Sequence, residues 1–156
     1  MIVTINVLIE GRFRDCPDAA WLRQAAARVL RAEGIGETVE VGLVITGQKQ
    51  IRELNRTYRG IDAPTDVLSF FMTPENEEMP FVAPPDGTRR LGEVIISCPQ
   101  AKRQAKSQDH SLLDELAILI THGVLHLLGY DHEKPGDARK MRRREAEILA
   151  EGLTAP

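Results

Sequence analysis

His122, His126 and His132 lie in one short run, T-H-G-V-L-H-L-L-G-Y-D-H, over residues 121–132. They are three of only four histidines in 156 residues. The first two are four apart, so on a helix they stand one turn apart on the same face. Gly129 can end that helix with a positive φ. The chain can then turn back and bring His132 towards the other two. Three imidazoles on one ion, with a fourth position open, is the ligand set of a catalytic zinc site. Buried, hydrogen-bonded core histidines are the alternative, and three at this spacing weigh against it.

The spacing is also that of the metzincin metalloproteases, H-E-x-x-H-x-x-G-x-x-H. Gly123 stands where those enzymes carry the glutamate that serves as general base. The spacing therefore gives the metal scaffold without the base of the protease mechanism.

Apolar periodicity predicts strands over 2–9, 38–46, 67–72 and 91–98, and helices over 17–32, 48–58, 99–107, 111–128 and 136–150. In the first strand Val3, Ile5, Val7 and Ile9 share one face. Residues 111–128 are apolar almost all round, which marks a buried central helix. Ser111 is its N-cap, with Asp114 at the capping-box position. Residues 73–90 hold four prolines and a D-G turn and read as a long mobile loop. Helical crossovers after the first and second strands predict parallel strands there. The loop connection between the third and fourth predicts an antiparallel pair. The fold class expected is α/β (α+β), with a mixed four-stranded sheet, about five helices and the histidine helix packed across the sheet.

At 156 residues the chain reads as one domain, 1–156. No apolar run reaches the length of a membrane span. The N-terminus lacks the basic region and cleavage site of a signal peptide. Cys16 and Cys98 are read as reduced thiols buried as small hydrophobes, in a cytoplasmic protein. The net charge of −3 argues against coating nucleic acid by bulk charge. Any such contact needs a local basic patch. Arg139-Lys140-Met141-Arg142-Arg143-Arg144 is one candidate, and a solvated helix face paired with Glu145 and Glu147 is its equal alternative. Lys102, Arg103 and Lys106 are equally ambiguous. His110 is expected to be exposed and unpartnered.

The histidine run H-G-V-L-H-L-L-G-Y-D-H (122–132) resembles the signature of the YbeY family of bacterial endoribonucleases. Three further segments are similar in the family's order: L-N-R-T-Y-R (54–59), D-A-P-T-D-V-L-S-F (62–70) and L-G-E-V-I-I-S (91–97). The resemblance covers essentially the whole chain and implies a zincin-like fold. It implies a metal-dependent endoribonuclease favouring single-stranded RNA, acting in small-subunit (16S) ribosomal RNA maturation and ribosome quality control. Its partners would be ribosomal RNA and the small subunit or assembly proteins. His122, His126 and His132 then correspond to the family's metal ligands and Arg59 to its arginine near the cleft. The acidic, proline-rich 73–90 loop departs from the pattern.

A Zn²⁺ ion on three neutral histidines, one per chain, keeps its full charge and brings the pKa of a bound water to about 7. Arg59 is the candidate phosphate binder or transition-state clamp, since a guanidinium matches phosphoryl oxygens and cannot lose its charge. Asp131 can orient a histidine and Glu133 can reach the open position, and either can equally be a solvated loop acid. Asp66 reads as a turn or strand-capping residue. Two other functions compete. One is a zinc peptidase with a displaced base, opposed by Gly123. The other is a non-catalytic ribosome-assembly module with a structural metal, opposed by the open position and Arg59.

Overall fold

In the computed structural model, strands β1 (Val3–Ile9), β2 (Val39–Thr46) and β4 (Arg89–Ser97) run parallel, and β3 (Val67–Phe71) runs antiparallel to β4. The order across the sheet is β1-β2-β4-β3. The structure describes residues 3–13, 15–35, 38–71, 88–130 and 133–153. Most of the 73–90 loop, together with Asp131 and His132, falls outside these residues. Arg89 and Arg90, expected in that loop, instead open β4.

Among the described residues five helices surround the sheet: α1 (Ala19–Ala32), α2 (Gln48–Arg59), α3 (Cys98–Ser107), α4 (Leu112–Leu127) and α5 (Pro135–Leu153). Residue chemistry sets their starts. Asp18 caps α1 by accepting from Trp21 N at 3.0 Å, and Ser111 caps α4 by accepting from Asp114 N at 3.1 Å. The mixed sheet, the five helices and the buried fourth helix agree with the sequence expectation.

One topological expectation fails. The crossover after β2 does not deliver a parallel neighbour, because β4 takes that place and β3 is the antiparallel strand at the edge. The reason lies after α2. Arg52 pairs with Asp62 at 2.8 Å, and Asn55 donates to Ala63 O at 2.9 Å, so the chain runs back along the helix it has just left. It returns to the edge of the sheet where β2 and β4 end, and Ser97 N donates to Asp66 O there. Strand β3 must then descend.

The two faces of the sheet carry different loads. The main core joins α1, α3, α4 and α5 to Val41, Leu43, Val94 and Ile96. Ile95 alternates to the other face, where it meets Ile51 of α2 and Leu68 of β3. In β1 only Ile5 of the expected inward face is buried. Edge position explains this, since the strand has a neighbour on one side alone.

The reading of Cys16 and Cys98 as reduced thiols is overturned. They are joined as a disulfide, with Cα atoms 6.8 Å apart and a separation of 82 positions in sequence. Strands β1 and β4 are parallel, so the chain leaves both at the same end of the sheet. That places the segment before α1 beside the start of α3. The cysteines therefore no longer speak for a reducing compartment.

Gly123 marks the closest approach of α4 to the sheet. A Cβ added there would lie 2.6 Å from Val94 Cγ1 and 3.1 Å from Cγ2. Ser69 Oγ of β3 donates to Gly123 O at 3.2 Å and fastens the same turn. Gly123→Ala is expected to destabilise the protein by about 1–3 kcal/mol through overpacking, read as a lower urea midpoint. Adding Val94→Ala to Gly123→Ala should recover part of that loss. An unchanged midpoint for Gly123→Ala alone would contradict the close approach.

Candidate functional site

Helix α4 is buried along nearly its whole length from Glu115 onward, apart from Ile118, His122 and His126, which are half-exposed. These three are four apart and form one stripe. Each fully buried apolar neighbour contributes about 1.5–3 kcal/mol, so the packing fixes the rotation of the helix. The stripe is the line on which this helix can present chemistry.

The end of α4 also orients a ring. Gly129 has φ +103°, its N–H donates to His126 O, and Tyr130 N–H donates to Leu125 O. This is a Schellman ending. It carries the Tyr130 carbonyl back to His126, whose Nδ1 donates to it at 3.0 Å. The His126 ring also rests against Phe71, with centroids 5.3 Å apart.

His122 is held from a different element. Its Nδ1 donates to Glu145 Oε1 of α5 at 2.7 Å. A carbonyl and a carboxylate only accept, so both rings carry their proton on Nδ1. Nε2 is then the lone-pair atom of each, which is the tautomer a metal ligand requires. One of the two sequence readings of the basic run paired it with Glu145 on a solvated face, and Glu145 instead reaches inward to His122. Its neighbour Arg144 takes the surface role, pairing with Glu33 and Glu147 and donating to Ala32 O.

Glu145 also raises the His122 pKa above the ordinary histidine value, first through its hydrogen bond and then through its charge. Burial opposes the shift, and the charge of Asp66 adds to it.

A polar cluster adjoins the N-terminal side of His122. Asp66 Oδ1 accepts from Val67 N at 2.7 Å, as a strand cap should. Its Oδ2 accepts from Gln104 Nε2 at 3.1 Å, and the same nitrogen donates to Glu115 Oε1 at 2.9 Å. His110 pairs with Glu115 Oε2, which corrects the expectation that it is exposed and unpartnered. Glu115 is only 3% exposed, so its two partners offset the desolvation of a buried carboxylate. Sequence reasoning missed Glu115, Gln104 and Glu145 as site residues. Helical spacing signals partners within one element, whereas Gln104 and Glu145 reach α4 from α3 and α5, and Glu115 on α4 takes its partners from α3 and the segment that follows it.

Two of the three metal-ligand candidates, His122 and His126, thus stand on one stripe with matching tautomers. Asp131 and His132 lie outside the described residues. Among the described residues no group of three His, Cys, Asp or Glu is disposed to hold a metal. Glu133 is exposed just ahead of α5. Arg59 is the exposed last residue of α2, on the other face of the sheet. Its neighbour Tyr58 packs against Phe70 with ring centroids 5.3 Å apart. Phe71 meets His126, so Arg59 and His126 flank the same end of edge strand β3 from opposite faces. At the C-terminal end of α4 a cavity of about 310 Å³ is lined by Gly129, Tyr130, Asp137 and Lys140. Lys140 lies 5.9 Å from the Tyr130 ring centroid. Among the described residues no helix is long and apolar enough to cross a membrane.

The raised His122 pKa gives a pH dependence of definite sign. The folded metal-free protein holds the His122 proton more tightly than the unfolded chain does. The stabilisation is therefore complete below the unfolded pKa of about 6.5 and is lost as pH rises through the raised folded value. Chemical denaturation of the metal-free protein should show this decline. Glu145→Gln should flatten it. A decline of equal size in that variant would rule out the pair as its source.

The family model for endoribonuclease YbeY matches residues 14–152. Endoribonuclease YbeY of Dehalococcoides mccartyi is 47% identical over 146 residues, covering 90% of this chain and 91% of that protein. Its counterpart from Chloroflexus aurantiacus is 47% identical over 150 residues, covering 96% and 95%. A Thermotoga maritima protein solved in solution superimposes with a TM-score of 0.59 at 26% identity, covering 98% of this chain and 94% of that one. The sheet, the histidine stripe and these matches converge, and the chain belongs to the endoribonuclease YbeY family.

Proposed function

We propose that this chain is a single-domain, zinc-dependent endoribonuclease that favours single-stranded RNA. Its proposed task is the processing of 16S ribosomal RNA, in support of ribosome maturation and quality control in the cytoplasm, alongside the small subunit or its assembly proteins. Family membership supports an RNA-cleaving hydrolase. The observation that carries the metal site is the pair of Nδ1 donations, His122 to Glu145 and His126 to Tyr130 O.

His122, His126 and His132 would hold the ion. Bound zinc would supply Lewis acidity, acidifying water and withdrawing electron density from a phosphoryl oxygen. The Glu145 carboxylate and the Tyr130 carbonyl fix both rings in the ligand tautomer. Arg59 offers a permanent positive charge to a phosphate on RNA that passes the end of β3. Asp131 and Glu133 adjoin the third histidine and remain the candidates for orienting it and for moving a proton. Exposed Arg139, Arg142 and Arg143 on α5 can track the RNA backbone.

The peptidase reading loses ground on an observation of packing. Position 123 faces Val94 at a distance that leaves no room even for a Cβ. A glutamate base cannot stand there without displacing the helix from the sheet.

Purified protein is expected to bind about one equivalent of zinc per chain, as one three-ligand site requires. His126→Ala should abolish both zinc binding and cleavage of single-stranded RNA while the circular dichroism spectrum is retained. Glu145→Gln should weaken zinc binding about 10–100-fold, as loss of an orienting partner does. Arg59→Glu should cut RNA cleavage strongly and leave zinc binding unchanged. Full cleavage by folded, metal-free protein would overturn the mechanism.

A further inference from the structure

A cavity of about 270 Å³ opens beside His122, between Asp66 and Val67 on one side and Ile118 and Leu119 of α4 on the other. Ile118 precedes His122 by four residues, about 6 Å along the helix axis. A group filling the cavity would thus lie about one nucleotide's reach from a phosphate at the histidines. The volume falls just below the range of about 300–1,000 Å³ common for whole ligands, which suits one base and no more.

The polar wall has a definite sign. Gln104 Nε2 spends its donor capacity on Asp66 and Glu115, and Gln104 Oε1 accepts from Gln100. Carboxylates have about four acceptor sites each and an amide oxygen two. Asp66 accepts from Val67 N, Thr65 Oγ1 and Gln104, so one site is left. Among the described residues Glu115 meets Gln104 and His110 and keeps two, and Gln104 Oε1 keeps one. Gln108 also lines the cavity and brings an exposed amide that can donate to a carbonyl oxygen, so the wall is rich in acceptors with one donor group beside them. It is also preorganised, because Glu115 is buried and anchored at both oxygens.

The occupant should be flat, partly apolar and rich in N–H donors along one edge. Uracil offers a single N–H between two acceptors. Adenine and cytosine each offer one amino group beside an acceptor nitrogen. Guanine offers N1–H and the 2-amino group side by side. A small cation would satisfy the acceptors but not the apolar walls. No group of three possible metal ligands is formed among the described residues here.

We infer that this cavity is a guanine-selective subsite, holding the base of a nucleotide next to the bond cut at the histidines. The inference rests on the endoribonuclease reading for its setting and adds a sequence preference to it.

Mapping cut sites on a randomised single-stranded RNA pool tests the subsite. Guanosine should be enriched about tenfold or more at one position flanking the cut, as a well-matched pair of contacts gives. Replacing that guanosine by inosine, which lacks the 2-amino group, should remove most of the advantage. Glu115→Gln, which swaps an acceptor for a donor, should bring the guanosine-to-inosine ratio close to one. That ratio is internal to each sample, so a partly unfolded variant does not blur it. Efficient cutting with no base preference overturns the subsite and leaves the nuclease reading standing. If no RNA is cut, the nuclease reading fails and methyl NMR decides the cavity by itself. Shifts of the Val67, Ile118 and Leu119 methyls with guanosine monophosphate, and much smaller ones with inosine monophosphate, support it. Equal shifts, no shifts, or shifts with methylammonium alone overturn it.

Discussion

Helix α4 can press against β4 because residue 123 brings no side chain to the contact. Val94 fills the space a Cβ would need, and Ser69 ties the same turn to β3. A helix held that closely cannot rotate. Its apolar neighbours on three sides then leave one stripe at the surface, and Ile118, His122 and His126 occupy it. A bulkier residue at 123 would lift the helix and turn both histidines away from Glu145 and Phe71. The glycine that removes a protease-type base is thus the same glycine that positions the metal-ligand candidates.

Each histidine is oriented by a different kind of constraint. His126 depends on a local one, since the Schellman ending of its own helix returns the Tyr130 carbonyl to it. His122 depends on a distant one, because Glu145 arrives from α5. Local orientation survives wherever the helix ends correctly. Distant orientation requires α5 to dock, which Met141 and Ile148 accomplish by burying themselves in the main core. The folding of the last helix and the geometry of His122 are therefore coupled.

This division also explains what could be read in advance. The histidine stripe, the Gly129 turn, the Ser111 cap and the buried character of α4 all follow from spacing inside one element, where periodicity carries the information. Asp66 was legible as a strand cap for the same reason. Glu145, Gln104 and Glu115 were not, because their roles arise where separate elements meet. The Cys16–Cys98 pairing and the descent of β3 at the edge belong to the same class. Both depend on which ends of the strands the topology brings together. The family resemblance supplied the RNA assignment, and no pattern in composition would have done so at a net charge of −3.

Edge strand β3 joins these pieces into one path. Its first residues adjoin Asp66 and the acceptor-lined cavity beside His122. Its last residues carry Phe70 and Phe71, which meet Tyr58 on one face and His126 on the other. The strand is five residues long, about 17 Å at strand rise, which spans two to three nucleotides of extended RNA. A chain following it would pass the acceptor cavity, then the histidines, then the end of α2 with Arg59. Base recognition, cleavage and phosphate binding would fall in that order along a single edge. A β-edge used in that way would select for single strands on geometry alone, because a paired base could not turn into the cavity while its partner strand remained stacked.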